Sequence, residues 1–147
     1  MPKTLVPEVR NCPIKMTMQN TPIGKKWTLL LVRNMIFGQN RFGEMLRTNN
    51  GLSGKVLNER LKEMIECGLV VRIENGEVEY HLTEMGRELN KILYEVSMFG
   101  AKYFQPEVFG EEVPHESLVD IFGNGFKLDP VEIEFNKQPE IYLIPGE

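Results

Sequence analysis

Between residues 53 and 67, polar side chains able to bond outward fall at positions that share one side of a helix. They are Ser53, Lys55, Asn58, Glu59 and Lys62. A hydroxyl, an amide, a carboxylate and two ammonium groups arranged this way suit recognition better than catalysis. Asparagine can pair with adenine, glutamate can accept from N4 of cytosine, and lysine attracts phosphate. The other side carries Leu57, Leu61, Met64 and Ile65 at i, i+4, i+7 and i+8, the spacing of a buried stripe. An ordinary solvated helix shows the same division, so the neighbouring elements have to decide.

Those neighbours follow a definite order. Pro13 suits a helix first turn, which predicts a helix from Pro13 to about Asn20, broken by Thr21-Pro22 and Gly24. Trp27, Leu30, Leu31 and Met35 predict a second helix stopped by Gly38. A third covers about residues 41 to 47, with Phe42, Met45 and Leu46 apolar, and Asn49-Asn50-Gly51 makes a turn. Ser53 is a natural N-cap for the fourth helix, and Gly68 follows its end. Residues 69–73 and 78–82 are β-rich, and Asn75-Gly76 between them predicts a two-residue type I′ hairpin. Thr83 caps one long helix to about Phe104. Three helices, a helix with a polar face and a hairpin describe a winged helix-turn-helix, in which the last of those helices lies in the DNA major groove.

Composition permits this reading. The chain has 147 residues, 41% hydrophobic and 26% charged, as expected of a soluble globular protein. No apolar run approaches the roughly 18–20 residues that span a bilayer, so no membrane partner is expected. Two cysteines are too few for a disulfide framework, which makes a reducing cytoplasm the expected location. The net charge of −4 conceals an asymmetry. Residues 10–73 carry eleven Lys and Arg against four Asp and Glu, or +7, whereas residues 105–147 carry two against ten, or −8. The basic body suits double-stranded DNA, because affinity comes largely from phosphate neutralisation.

The residues also resemble the HxlR family of bacterial and archaeal winged helix-turn-helix regulators, relatives of the MarR group. The resemblance rests on Cys12-Pro13, Ile23-Gly24, Lys26-Trp27-Thr28-Leu29-Leu30, Gly38, Arg41-Phe42, Glu44 and Leu46. It continues through Gly51-Leu52-Ser53, Leu57, Glu59-Arg60-Leu61, Gly68-Leu69-Val70, Val78-Glu79-Tyr80, Leu82-Thr83 and Gly86. It implies a homodimer that binds operator DNA, with the first and last helices of the module at the dimer interface. Ile14, Leu93, Val96, Phe99 and Tyr103 are the interface residues so implied. Some members use a cysteine at the position of Cys12 to sense oxidants or electrophiles, and a helix start favours a thiolate. A small packed residue is the alternative there, and packing is also the expectation for Cys67. The chain departs from the family in its short wing and in having Gly54-Lys55 where proline and arginine are usual.

The expected fold is therefore α+β and mostly α. It comprises an arm over residues 1–11, a winged helix-turn-helix with its dimerisation helices over 12–104, and an acidic extension over 105–147 with a short helix and a hairpin. DNA contacts are expected from Ser53, Gly54, Lys55, Asn58, Glu59 and Lys62. Lys25, Lys26, Arg41 and Arg47 should serve as phosphate anchors, and Arg72, Asn75 and Gly76 form the wing. An ion pair between Arg60 and Glu44 is expected, with His81 exposed to solvent. Phosphate-loop, dinucleotide-binding and metalloprotease motifs are absent, and His81, His115, Cys12 and Cys67 lack metal-ligand spacing. An enzyme, a metal and a cofactor are accordingly not expected. The rival reading is a winged-helix module for protein contact, with the acidic tail as its docking element.

Overall fold

Two threonines and a serine set where the main elements begin or end, and each does so through its hydroxyl. In a computed structural model that describes residues 12–104, α1 (Pro13–Asn20) follows Cys12 at its N-cap. Thr21 ends α1 by donating its hydroxyl to the Thr17 carbonyl, and the same oxygen accepts from the Ile23 amide to start a 3-10 turn, Pro22–Gly24. Gly24 is required there. A Cβ at this position would sit 2.1 Å from the Met18 carbonyl oxygen, so only glycine lets the turn lie against α1. The expected acidic extension and N-terminal arm fall outside the described residues.

α2 (Thr28–Ile36) buries Leu31, Val32, Met35 and Ile36, but leaves Leu30 exposed. Trp27 lies before α2 rather than within it. Its φ of 84° is in the left-handed region, which costs an L residue roughly 1–2 kcal/mol. The strain is held by what surrounds it. The Trp27 ring packs on the core, and the Thr28 hydroxyl donates to the Pro22 carbonyl at 2.6 Å.

α3 (Phe42–Thr48) and α4 (Gly54–Glu66) form the helix-turn-helix pair. Ser53 caps α4 by accepting from the Val56 amide at 3.1 Å. A buried polar clamp fixes the turn between them. Asn49 donates from its side chain to the Asn34 amide oxygen and to the Met45 carbonyl, each at 2.8 Å, and Asn34 donates to the Thr48 hydroxyl at 2.7 Å. Satisfied buried amides of this kind specify one geometry, because leaving either unpaired costs about 1–3 kcal/mol.

β1 (Val70–Asn75) pairs antiparallel with β2 (Glu77–Leu82), from Val70 opposite Leu82 to Asn75 opposite Glu77. The turn differs from the expected type I′. Only Gly76, at φ 85°, takes a left-handed conformation, so the strands run on to a one-residue tip. On its outer side β2 gains a further partner: Tyr80 donates its amide to the Asn40 carbonyl at 2.8 Å, and the Asn40 side chain returns a bond to the Tyr80 carbonyl at 2.7 Å.

The expected single helix from Thr83 is two segments, α5 (Glu84–Arg87) and α6 (Asn90–Tyr103). Amides of Glu88, Leu89, Lys91 and Ile92 each bond three residues back, so the path tightens to 3-10 geometry between them. Close packing explains the break. The Thr83 hydroxyl donates to the Gly68 carbonyl at 2.5 Å while capping the Gly86 amide, and a Cβ on Gly86 would lie 2.1 Å from the Leu69 carbonyl oxygen. α5 is thus pressed onto the end of α4. Leu89 and Leu93 then enter the core with Leu31, Met35, Leu57, Leu61 and Met64.

Candidate nucleic-acid interface

The core decides which side of α4 faces outward. Leu57, Leu61 and Met64 are fully buried, and this turns Ser53, Lys55, Asn58, Glu59 and Lys62 to solvent. Those four central residues, from Lys55 to Lys62, have no ion-pair or hydrogen-bond partner among the described residues. Gly54 packs at the foot of the helix beside the Phe42 ring, where only ordinary contact separates it from the aromatic edge. A groove between α4 and the hairpin is lined by Asn58, Lys62, Glu66, Arg72 and Tyr80, so the helix face continues onto β1.

The flanking cations divide into two groups. Arg47 is exposed and, like Lys26, has no ion pair among the described residues; the Lys26 ammonium lies 5.1 Å from the Trp27 ring centre. Lys25 and Arg41 are already engaged. Lys25 pairs with Glu63 on α4, and Arg41 pairs with Glu77 on the wing, with Glu79 a further 3.7 Å contact. These two are therefore placed as internal ties as well as surface cations. Glu63 also receives Arg60, at 2.5 Å. Burial pushes the Glu63 carboxyl up, but the bonds from Lys25 and Arg60 outweigh it and hold it below the usual range.

Arg60 corrects the expectation of a pair with Glu44. It donates from Nε to the Lys26 carbonyl at 3.1 Å and from its terminal nitrogen to Glu63, one turn along the same helix. Glu44 instead accepts from the Arg41 amide at 3.1 Å and caps α3. His81 is likewise not a free surface group. Its Nε2 lies 2.8 Å from the Glu79 carboxylate, and this bond, with help from Arg41, keeps Glu79 below the ordinary carboxylate range.

The wing is net acidic, with Arg72 against Glu74, Glu77 and Glu79. Arg72 pairs with Glu74 at 3.0 Å, and hydrogen bonding to Glu74 and then Tyr80 strengthens its hold on the proton. Glu77 stands beside the exposed tip residues Asn75 and Gly76. Cys12 is half-buried at the start of α1 and its side chain caps nothing. Cys67 is half-buried at the end of α4, and burial raises its thiol pKa. Among the described residues no cluster of His, Cys, Asp and Glu could hold a metal ion, and no helix is long and apolar enough to cross a membrane.

The implied dimer residues separate in the same manner. Leu93 is 8% exposed and belongs to the chain's own core, a correction that follows from the packing of α6 against α2. Ile92, Val96, Phe99 and Tyr103 instead make the outward seam, the last three 58–59% exposed. Ile14 on α1 is 76% exposed.

Residues 22–108 match the model of the HxlR-like helix-turn-helix family. The chain belongs to that family. An HTH-type transcriptional regulator of Mycobacterium bovis is 37% identical over 90 residues, 58% of this chain and 56% of that protein, so the match spans little more than half the relative's length. The HTH-type transcriptional regulator YybR of Bacillus subtilis is 33% identical over 102 residues, 67% of this chain and 80% of YybR. Among solved structures, the redox regulator HypR in its oxidized form superposes with a TM-score of 0.56 and 34% identity, covering 62% of this chain and 96% of HypR. The HxlR-like portion thus coincides with the elements that carry α4 and the wing.

Replacing Glu77 and Glu79 together by Gln should release Arg41 toward phosphate. The slope of log affinity against log salt on random duplex DNA should then steepen by about one. An unchanged slope in a binding titration would show that Arg41 does not reach the backbone.

Proposed function

We propose that this HxlR-like protein is a homodimeric, sequence-reading, double-stranded DNA-binding regulator of transcription. The observation that carries the reading is the exposed and unpaired face of α4. Lys55, Asn58, Glu59 and Lys62 are presented by a helix whose cap, core stripe and preceding turn are all fixed. Unpaired donors and acceptors on a rigid helix suit base edges, because little ordering cost remains to be met on binding. Arg47 and Lys26 supply phosphate contacts beside it, and the wing adds little because its glutamates offset Arg72. The protein-contact alternative has no comparable support in the described residues.

Dimerisation supplies the second half-site. The seam of Ile92, Val96, Phe99 and Tyr103 is apolar, and Phe99 stacks near Tyr103 with ring centres 5.0 Å apart. An exposed stripe of this kind calls for a partner surface, and a second copy pairs like with like. Ile14 on α1 extends the apolar surface. Similarity to the redox regulator HypR supports a redox role for Cys12, whose sulfur lies at the start of α1 without an internal cap.

Lys55→Ala and Lys62→Ala should each weaken binding to a fragment selected from the source genome, by about 3- to 30-fold at moderate salt, while changing stability by no more than about 0.5 kcal/mol. Wild-type affinity in both variants would remove α4 from the interface. Light scattering at micromolar concentration should give twice the mass of one chain, and Val96→Glu should shift it toward one. A wild-type monomer would contradict the dimer. Mild oxidant should change operator affinity in the wild type and not in Cys12→Ser; an identical response in both would dismiss Cys12 as a sensor.

A further inference from the structure

Glu63 follows directly after Lys62, the last of the proposed DNA-facing residues, and three observations converge on it. It gathers Lys25 from the segment after α1 and Arg60 from its own helix. Arg60 also donates from Nε to the Lys26 carbonyl, 34 residues away in sequence, so one guanidinium joins α4 to the Lys25-Lys26 backbone. The third is the close approach of α1 itself. Gly24 lies against the Met18 carbonyl, and Asn20, Thr21 and Pro22 line a cleft shared with Lys25, Glu63 and Glu66. The end of α1, the 3-10 turn and the middle of α4 are thereby connected by direct contact.

We infer that Glu63 is a positioning residue for sequence discrimination: through Lys25 and Arg60 it sets the pose of α4 against the end of α1. This rests on the DNA-binding reading above. Apolar packing of Leu57, Leu61 and Met64 sets which side of α4 faces outward, but it is non-directional and leaves the fine adjustment of the helix pose to directional bonds. Charge-assisted bonds are directional, and a planar guanidinium bridging the Lys26 carbonyl and the Glu63 carboxylate constrains both distance and angle. Base reading depends on that angle far more than phosphate attraction does, since a bidentate contact to a base edge is lost with a small misplacement. Lys25 therefore contributes to selectivity through Glu63 rather than to affinity through phosphate.

The test measures two affinities on the full chain, one for an operator fragment recovered by genomic selection and one for a random-sequence duplex of equal length. Glu63→Gln should lower operator affinity about tenfold, the size of one lost base contact, and leave random-duplex affinity equal or higher. Glu63→Asp should recover part of the ratio. Lys25→Met should lower the operator preference without altering the salt slope, whereas a phosphate anchor would lose affinity for both duplexes and reduce the slope by about one. Arg60→Lys, which keeps the charge but loses the planar fork that bridges the two acceptors, should behave as Glu63→Gln and provides a second route should the Gln variant fold poorly. Melting temperatures near wild type exclude unfolding as the cause. An unchanged ratio in Glu63→Gln and Arg60→Lys would overturn the inference while leaving the DNA-binding reading intact. A wild-type protein with no operator preference would instead overturn that reading.

Discussion

The burial of one stripe on α4 governs the rest of the structure. Leu57, Leu61 and Met64 have no exposure beyond 1%, and they share a single core with Leu31 and Met35 of α2, Val70 and Leu82 of the hairpin and Leu93 of α6. Truncating any one of three such side chains costs about 2–5 kcal/mol, a large part of a small domain's stability. Because the helix repeats every 3.6 residues, committing these positions to the core commits Lys55, Asn58, Glu59 and Lys62 to solvent. Stability and the proposed recognition surface are therefore opposite sides of the same helix. A substitution that rotated α4 would damage both.

Around that helix the polar bonds follow a division of labour. Fully buried groups such as Asn34, Asn49 and Thr83 are paired with one another or with backbone, and they fix the turn before α4 and the exit after β2. Half-exposed charges are paired as well, Lys25 and Arg41 across elements and Arg72 with Glu74 on its own strand. Surface pairs of this sort contribute little to stability, about 0–1 kcal/mol each. Their consequence is for the electrostatic field instead, since they neutralise three of the cations that the sequence places near the interface. What remains unpaired is the face of α4 with Arg47 and Lys26, a narrower positive surface than the count of basic residues suggests.

Much of this order is legible in the chain because it is local. Pro13 in a first turn, Ser53 three residues before a bonded amide, Gly68 after a helix and the spacing of Leu57, Leu61 and Met64 each act within a few residues, and the elements begin and end close to where those signals lie. The features that sequence does not reveal are those set by contacts at a distance. Trp27 is left-handed because the core seats its ring, and no neighbour in sequence signals it. The tightened path between α5 and α6 follows from Gly86 lying on the Leu69 carbonyl. Lys25 finds Glu63 38 residues away, and Arg60 finds Lys26 rather than Glu44. Asn40 joins β2 from a loop that has no strand pattern of its own. Leu93 and Ile92 are neighbours on an all-round apolar helix, and only the packing of α6 on α2 tells which one faces the core.

The central claim is that a localised, unpaired face of α4 binds duplex DNA, and the salt dependence of binding tests it most directly. Equilibrium affinity of the full chain for an operator duplex, measured from about 50 to 200 mM salt, should fall linearly on a log–log plot with a slope reflecting several released counterions. Substituting Lys62 by Ala should flatten that slope by about one. Affinity that stayed constant across the salt range, or a slope unmoved by loss of Lys62, would contradict the account.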